Sequence, residues 1–175
     1  RLTAVGRARG ATLYMTLAAA LNAWLHRYTE QNDILLGTAT AQRTRSELEG
    51  LIGFFANTLV LRTRLEDAMA FTALLDQVRR TTLEAADHQD VSFERVVDAV
   101  QPERTLSHNP LAQVVFTFQN VPRRELRLPG LETEAVEIDN GAAKFDLTVR
   151  LDDTANGLRG YLEYSADLFE EETVA

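Results

Sequence analysis

The sequence predicts an α/β fold of the α+β type, in which helices cover one face of a mixed sheet that includes an antiparallel meander. Three observations lead there. Apolar residues recur at spacings of three and four over 12–30 and again over 69–86, the mark of helices with one buried stripe. Short apolar or alternating runs at 34–40 and 55–64 are too brief for helices and suit strands. The last third alternates with a period of two around two Asn-Gly pairs, which signals hairpins. With 175 residues and 45% hydrophobic content, the chain can bury roughly 70% of the surface exposed when unfolded, enough for one core and a single domain over 1–175.

The elements follow in order. Thr12 is placed to cap the first helix, whose stripe reads Leu13, Leu17, Leu21, Trp24, Leu25 and Tyr28. Asp33 opens a buried strand, and after a polar stretch at 42–49 a second strand alternates through Thr58, Val60, Arg62 and Arg64. Phe71, Leu74, Leu75, Val78 and Ala85 restore the helical period. Ser92 is positioned to cap a shorter helix that Pro102 stops. The run 111–119 reads as a third strand, opened by Asn109-Pro110 because the residue before proline is pushed to extended backbone. Asn140-Gly141 and Asn156-Gly157 then frame a meander of about three strands over 131–165. Acids at 167–172 mark the start of a closing helix. The long connection 121–130, with Pro122 and Pro129, is irregular.

Charge narrows the function. Eighteen basic against 26 acidic residues give a net charge of −8, which repels phosphate backbones, so no nucleic acid is expected. No apolar run reaches the roughly 20 residues of a membrane span, and no signal peptide is evident. Cysteine is absent, which removes disulfides, thiolate nucleophiles and cysteine-based zinc sites and fits a cytoplasmic setting. His88-x-Asp90 lacks a third ligand or nucleophile, which favours a structural role and no metal. Ser107 and His108 are adjacent, so they do not face each other as nucleophile and base. No nucleotide-binding glycine pattern is present.

Three segments carry a family resemblance: Ile52-Gly53-Phe54-Phe55-Ala56-Asn57-Thr58-Leu59-Val60-Leu61-Arg62, His88-Gln89-Asp90-Val91-Ser92-Phe93-Glu94, and Arg104-Thr105-Leu106-Ser107-His108-Asn109-Pro110-Leu111. In that order and at those separations, and with Lys144-Phe145-Asp146-Leu147 behind them, they resemble the C-terminal half of a condensation domain from a nonribosomal peptide synthetase. The resemblance implies a lobe of a fold like chloramphenicol acetyltransferase, with two lobes around a tunnel for carrier-bound substrates. It implies peptide-bond formation between thioesters borne on 4'-phosphopantetheine arms of donor and acceptor peptidyl carrier proteins, beside an adenylation domain. The family's His-His-x-x-x-Asp-Gly motif belongs to the other, N-terminal lobe, and no two of the three histidines here, at 26, 88 and 108, are adjacent. The chain is therefore expected to be a partial enzyme, inactive alone, with no catalytic residue of its own. Ala56, Ser92 and His108 stand where the family commonly has valine, proline and arginine.

Within these motifs Asn57 and Thr58 are the candidates for facing the tunnel, Asn57 either orienting a carbonyl or the catalytic motif of the other lobe, or satisfying nearby backbone as an ordinary strand or turn residue. Arg62 is read as solvated on its strand in preference to pairing with a carboxylate across the lobe interface. Gly53, Phe55, His88, Gln89, Asp90, Phe93, Glu94, Arg104, Ser107, Asn109 and Pro110 are motif positions read as structural. A noncatalytic module of the same fold that recruits carrier proteins is the second reading.

Overall fold

The computed structural model describes residues 2–102, 109–119, 128–133, 136, 141–154 and 157–174. Among these the elements run α1 (Leu2–Ala8), α2 (Leu13–Thr29), β1 (Asp33–Thr40), α3 (Ser46–Glu49), β2 (Asn57–Arg64), α4 (Phe71–Asp87), α5 (Phe93–Val100), β3 (Val114–Gln119), β4 (Leu147–Thr154), β5 (Gly157–Tyr164) and α6 (Glu171–Val174). The strands form one mixed sheet in the order β2-β1-β3-β4-β5. Its two outer pairs, β1 with β2 and β4 with β5, are antiparallel, while β3 is parallel to both of its neighbours.

The register divides the sheet into two faces, because directly paired residues point the same way. Ile34 and Leu36 of β1 align with Thr63 and Leu61 of β2, and through Val114 the same face continues to Leu147, Val149 and Leu151 of β4. This is the helix-covered face. Leu36, Phe116, Leu74, Leu75 and Val78 share one core cluster with Met15, Ala18, Ala19 and Leu25 of α2. Helices thus cover one face, as the patterning predicts. Leu75, Val78, Leu36 and Phe116 are essentially inaccessible to water, and burial of such side chains contributes about 1.5–3 kcal/mol each.

Thr12 caps α2 as expected, its hydroxyl accepting from the Met15 amide at 3.2 Å. Of the expected stripe of α2, Leu17 and Leu25 are buried and Leu13 and Leu21 pack against the core, but its last turns depart from the expected line. Met15, Ala18, Ala19, Asn22 and Leu25 are buried, whereas Trp24 and Tyr28 are 51% and 62% exposed and stack on each other at 5.5 Å. The inward face includes Asn22, a polar residue in the core whose Nδ2 donates to the Ala18 carbonyl within the same helix at 2.9 Å while its Oδ1 has no hydrogen-bond partner.

The other departures have local causes. Ser92 takes the N-cap position of α5 but makes no capping hydrogen bond with its side chain. β3 begins at Val114, since Leu111 adopts φ 66° and the Ala112 amide closes a tight turn onto the Pro110 carbonyl at 2.8 Å. The expected three-strand meander is represented by β4 and β5, and the described residues between 128 and 146 form no strand. Residues 134–135 and 137–140, including Asn140, lie outside the described residues, as do Arg104, Ser107, His108, Asn156 and most of the 121–130 connection. The short helices α1 and α3 have no counterpart in the expected elements.

Candidate functional site

The β1–β2 hairpin and the corner between α4 and α5 meet at one end of the sheet, where two of the motifs come together. Thr40 closes β1 directly opposite Asn57, the first residue of β2. The Asn57 Nδ2 donates to the Gln89 carbonyl at 3.0 Å and to the Val91 carbonyl at 2.8 Å. Its Oδ1 accepts from the Phe93 amide at 3.1 Å. That amide is one of the unpaired donors of the first turn of α5, so a side chain 36 residues away does the capping that Ser92 does not. Gln89 is held twice more: its Oε1 accepts from the Thr40 hydroxyl at 2.7 Å, and its carbonyl accepts from Gln42 Nε2.

The remaining members of this motif support the corner. His88 Nδ1 lies 2.8 Å from the Glu84 carbonyl, which makes Nδ1 the protonated nitrogen and closes the end of α4. Asp90 is exposed, and Glu94 sits exposed in the first turn of α5, where the helix dipole favours an acid. No group of three or more metal-ligating side chains occurs among the described residues. Phe93 is half-buried, as are Phe55 and Thr58.

Just before Asn57, the loop from β1 carries its own brace. The Arg43 guanidinium carbon stands 4.6 Å from the centroid of the Phe55 ring, and Arg43 Nη1 donates to the Leu48 carbonyl. Gly53 backs onto Phe55 so closely that an added Cβ would meet the ring at 3.0 Å. Ile52 and Phe54 on either side of Gly53 point into solvent, Phe54 being 93% exposed.

Other motif residues lie elsewhere. Arg62 pairs with Leu35 in the ladder and reaches along the open face to Asp33, donating through Nε at 2.8 Å and Nη2 at 2.6 Å. Those hydrogen bonds hold the Asp33 carboxyl below its ordinary value of 3.8, with the charges of Arg62 and Arg64 adding to the effect. Asn109 sits at the opposite end of the sheet from Asn57, where it donates to the Lys144 carbonyl at 2.7 Å and accepts from Gln113 Nε2 at 3.1 Å through its own carbonyl. Pro110 follows in the turn before β3. The structure therefore gathers Asn57, His88, Gln89 and Phe93 and leaves Arg62, Asn109 and Pro110 apart. Thr40, Gln42 and Arg43 complete the gathering, and no local sequence signal marks them.

All 175 residues match the family model for the condensation domain. The chain belongs to the condensation-domain family. It is 47% identical over 175 residues to one of the linear gramicidin synthase proteins of Brevibacillus parabrevis, a match covering 99% of this chain and 3% of that one. Among solved structures it resembles a four-domain nonribosomal peptide synthetase with a TM-score of 0.89 at 24% identity, over 99% of this chain and 14% of that chain. It also resembles the X-domain from teicoplanin biosynthesis, solved in complex with OxyB, with a TM-score of 0.84 at 29% identity, over 98% of this chain and 38% of that chain. The expected family and its chloramphenicol acetyltransferase-like fold are borne out. The chain spans a small fraction of its synthetase relatives and about two-fifths of the X-domain chain.

Proposed function

We propose that these residues form the C-terminal lobe of a condensation domain that joins carrier-bound aminoacyl or peptidyl thioesters in nonribosomal peptide synthesis. The observation that carries the reading is the pairing of a family match over all 175 residues with coverage of only 38% of the X-domain chain. In this reading the His-His-x-x-x-Asp-Gly lobe is contributed by the rest of the parent domain. Donor and acceptor carrier proteins bring the substrates on 4'-phosphopantetheine arms, in a cytoplasmic synthetase that also holds an adenylation domain. No described helix is long and apolar enough to cross a membrane.

The chemistry favours shape over any single side chain. The acceptor amine attacks the donor thioester carbonyl, the C–N bond forms, the C–S bond breaks and the pantetheine thiol leaves with a proton. An α-amino group of pKa about 7.7–8 is neutral in roughly one molecule in ten at pH 7, so a base helps without being indispensable. General acid–base assistance contributes about 10²–10⁴-fold, while placement of the two reactants is worth about 7–11 kcal/mol. One lobe cannot enclose both arms, and the isolated chain is therefore inactive. Asn57 serves this wall through the backbone it holds, and Thr58 beside it lines the tunnel.

The experiment is to co-express the chain with the upstream half of its parent and assay amide formation from two loaded carrier proteins. Product from the pair and none from either half supports the reading; full turnover by the chain alone refutes it. A second reading, a noncatalytic recruitment module, is favoured by the likeness to an X-domain that was solved bound to a partner protein. It predicts carrier binding by the paired halves with no amide product.

A further inference from the structure

We propose that the loop tip Leu51, Ile52 and Phe54, together with Val91, is a preformed apolar knob on which the complementary part of the condensation domain seats. The inference rests on the lobe reading above and names the surface through which the halves would meet.

The tip is exposed yet braced. Ile52 is fully exposed, Phe54 93% exposed, and Leu51 and Val91 are exposed as well. Floppy loops can show apolar residues by accident, but this one is held at three points. Arg43 grips it through the Phe55 ring and the Leu48 carbonyl. The Leu51 amide returns to the Leu48 carbonyl at 3.3 Å. At its base Asn57 binds the Val91 carbonyl, which brings Val91 alongside the loop. Gly53 supplies the close approach to Phe55 that turns its two neighbours outward. Large apolar side chains fixed in the exposed position are features of anchors that fill a partner's pocket.

Two further observations select the occupant. The stretch 50–56 carries no charge, so its burial desolvates no ion and suits an apolar concavity rather than an acidic or basic partner. The X-domain chain on which this one superposes has 62% of its length outside the match, 100% less the 38% covered, and that portion is the body available to bury the tip.

The test combines Ile52→Ser with Phe54→Ser. In the 175-residue chain alone the double variant should keep the circular-dichroism spectrum and unfolding midpoint of the parent sequence, because these side chains touch little. With the co-expressed upstream half, titration calorimetry should show binding at least ten-fold weaker than for the unsubstituted pair. Affinity within two-fold overturns the assignment while leaving the lobe reading intact, provided that the unsubstituted halves bind and form amide. Failure of the unsubstituted halves to associate at all sinks the lobe reading and this inference with it. A concentration-dependent dimer of the chain alone, abolished by the double variant, would assign the knob to a second copy and overturn the proposal.

Discussion

Asn57 and Gln89 stand 32 residues apart in the chain and are joined by a 3.0 Å hydrogen bond from the Asn57 amide to the Gln89 carbonyl. The same amide group binds Val91 and Phe93, so one side chain fastens the start of β2 to the corner that turns α4 into α5. Replacing Asn57 by alanine leaves the Val91 carbonyl and the Phe93 amide without this partner. The expected loss is about 1–3 kcal/mol in urea unfolding, with the slope against denaturant unchanged. Asn57→Asp retains the acceptor for Phe93 but turns a carboxylate oxygen toward two carbonyls, and it should rescue little. Full rescue by aspartate would show that only the Phe93 cap matters.

Gly160 faces Leu151 across the β4–β5 ladder. A Cβ there would collide with the Leu151 side chain and with the Arg150 carbonyl, and the second of these is backbone that cannot swing aside. Gly160→Ala should therefore cost about 1–3 kcal/mol, like other overpacked sites. Faster hydrogen exchange confined to β4 and β5 would locate the damage. An unchanged midpoint would mean that the hairpin shifts to make room.

The C-cap of α2 predicts a gain. Glu30 adopts φ 58°, a left-handed conformation that strains residues with a Cβ, and its amide donates to the His26 carbonyl. Glu30→Gly keeps that backbone bond and removes the strain. The net stabilisation expected is about 0.5–1 kcal/mol, read as a rise in Tm of roughly 1–4 °C.

How far the sequence can be read depends on the range of each interaction. The period of α4 and the alternation of β2 are local, so both elements lie near their expected bounds. The Thr12 cap is legible for the same reason, since its partner Met15 is three residues away. Asn57 is visible as a motif residue, yet what it binds lies beyond any local window: the carbonyls it orients belong to the chain itself. Trp24 departs from the expected stripe because apolar size is a poor guide to burial in α2, where Ala18, Ala19 and Asn22 occupy the inside. Leu111 extends the β3 pattern in sequence but lies in a turn that its positive φ creates. The open-face pairing of Arg62 with Asp33 needs the register of β1 against β2, which neither strand carries alone.

Tyr14 provides a prediction with a pH signature. Its ring stacks on Phe116 at 5.4 Å, and its hydroxyl is buried beside the Thr38 side chain without reaching hydrogen-bond geometry. Burial pushes the phenol above its ordinary value of 10.0, and the neighbouring Thr38 side chain opposes that shift without prevailing. The sign follows from linkage: the folded state resists ionisation more than the unfolded chain does. The contribution is thus intact below pH about 10 and is lost as pH rises through the raised folded value. Tyr14→Phe deletes an unsatisfied buried hydroxyl and keeps the stacked ring, so at pH 7 stability should be unchanged or slightly increased. Above pH 10 the variant should lose less stability than the parent chain. Ultraviolet titration of the phenols should show one tyrosine fewer ionising late. Destabilisation of the phenylalanine variant at pH 7 by more than about 1 kcal/mol would mean that the hydroxyl has a partner in solution.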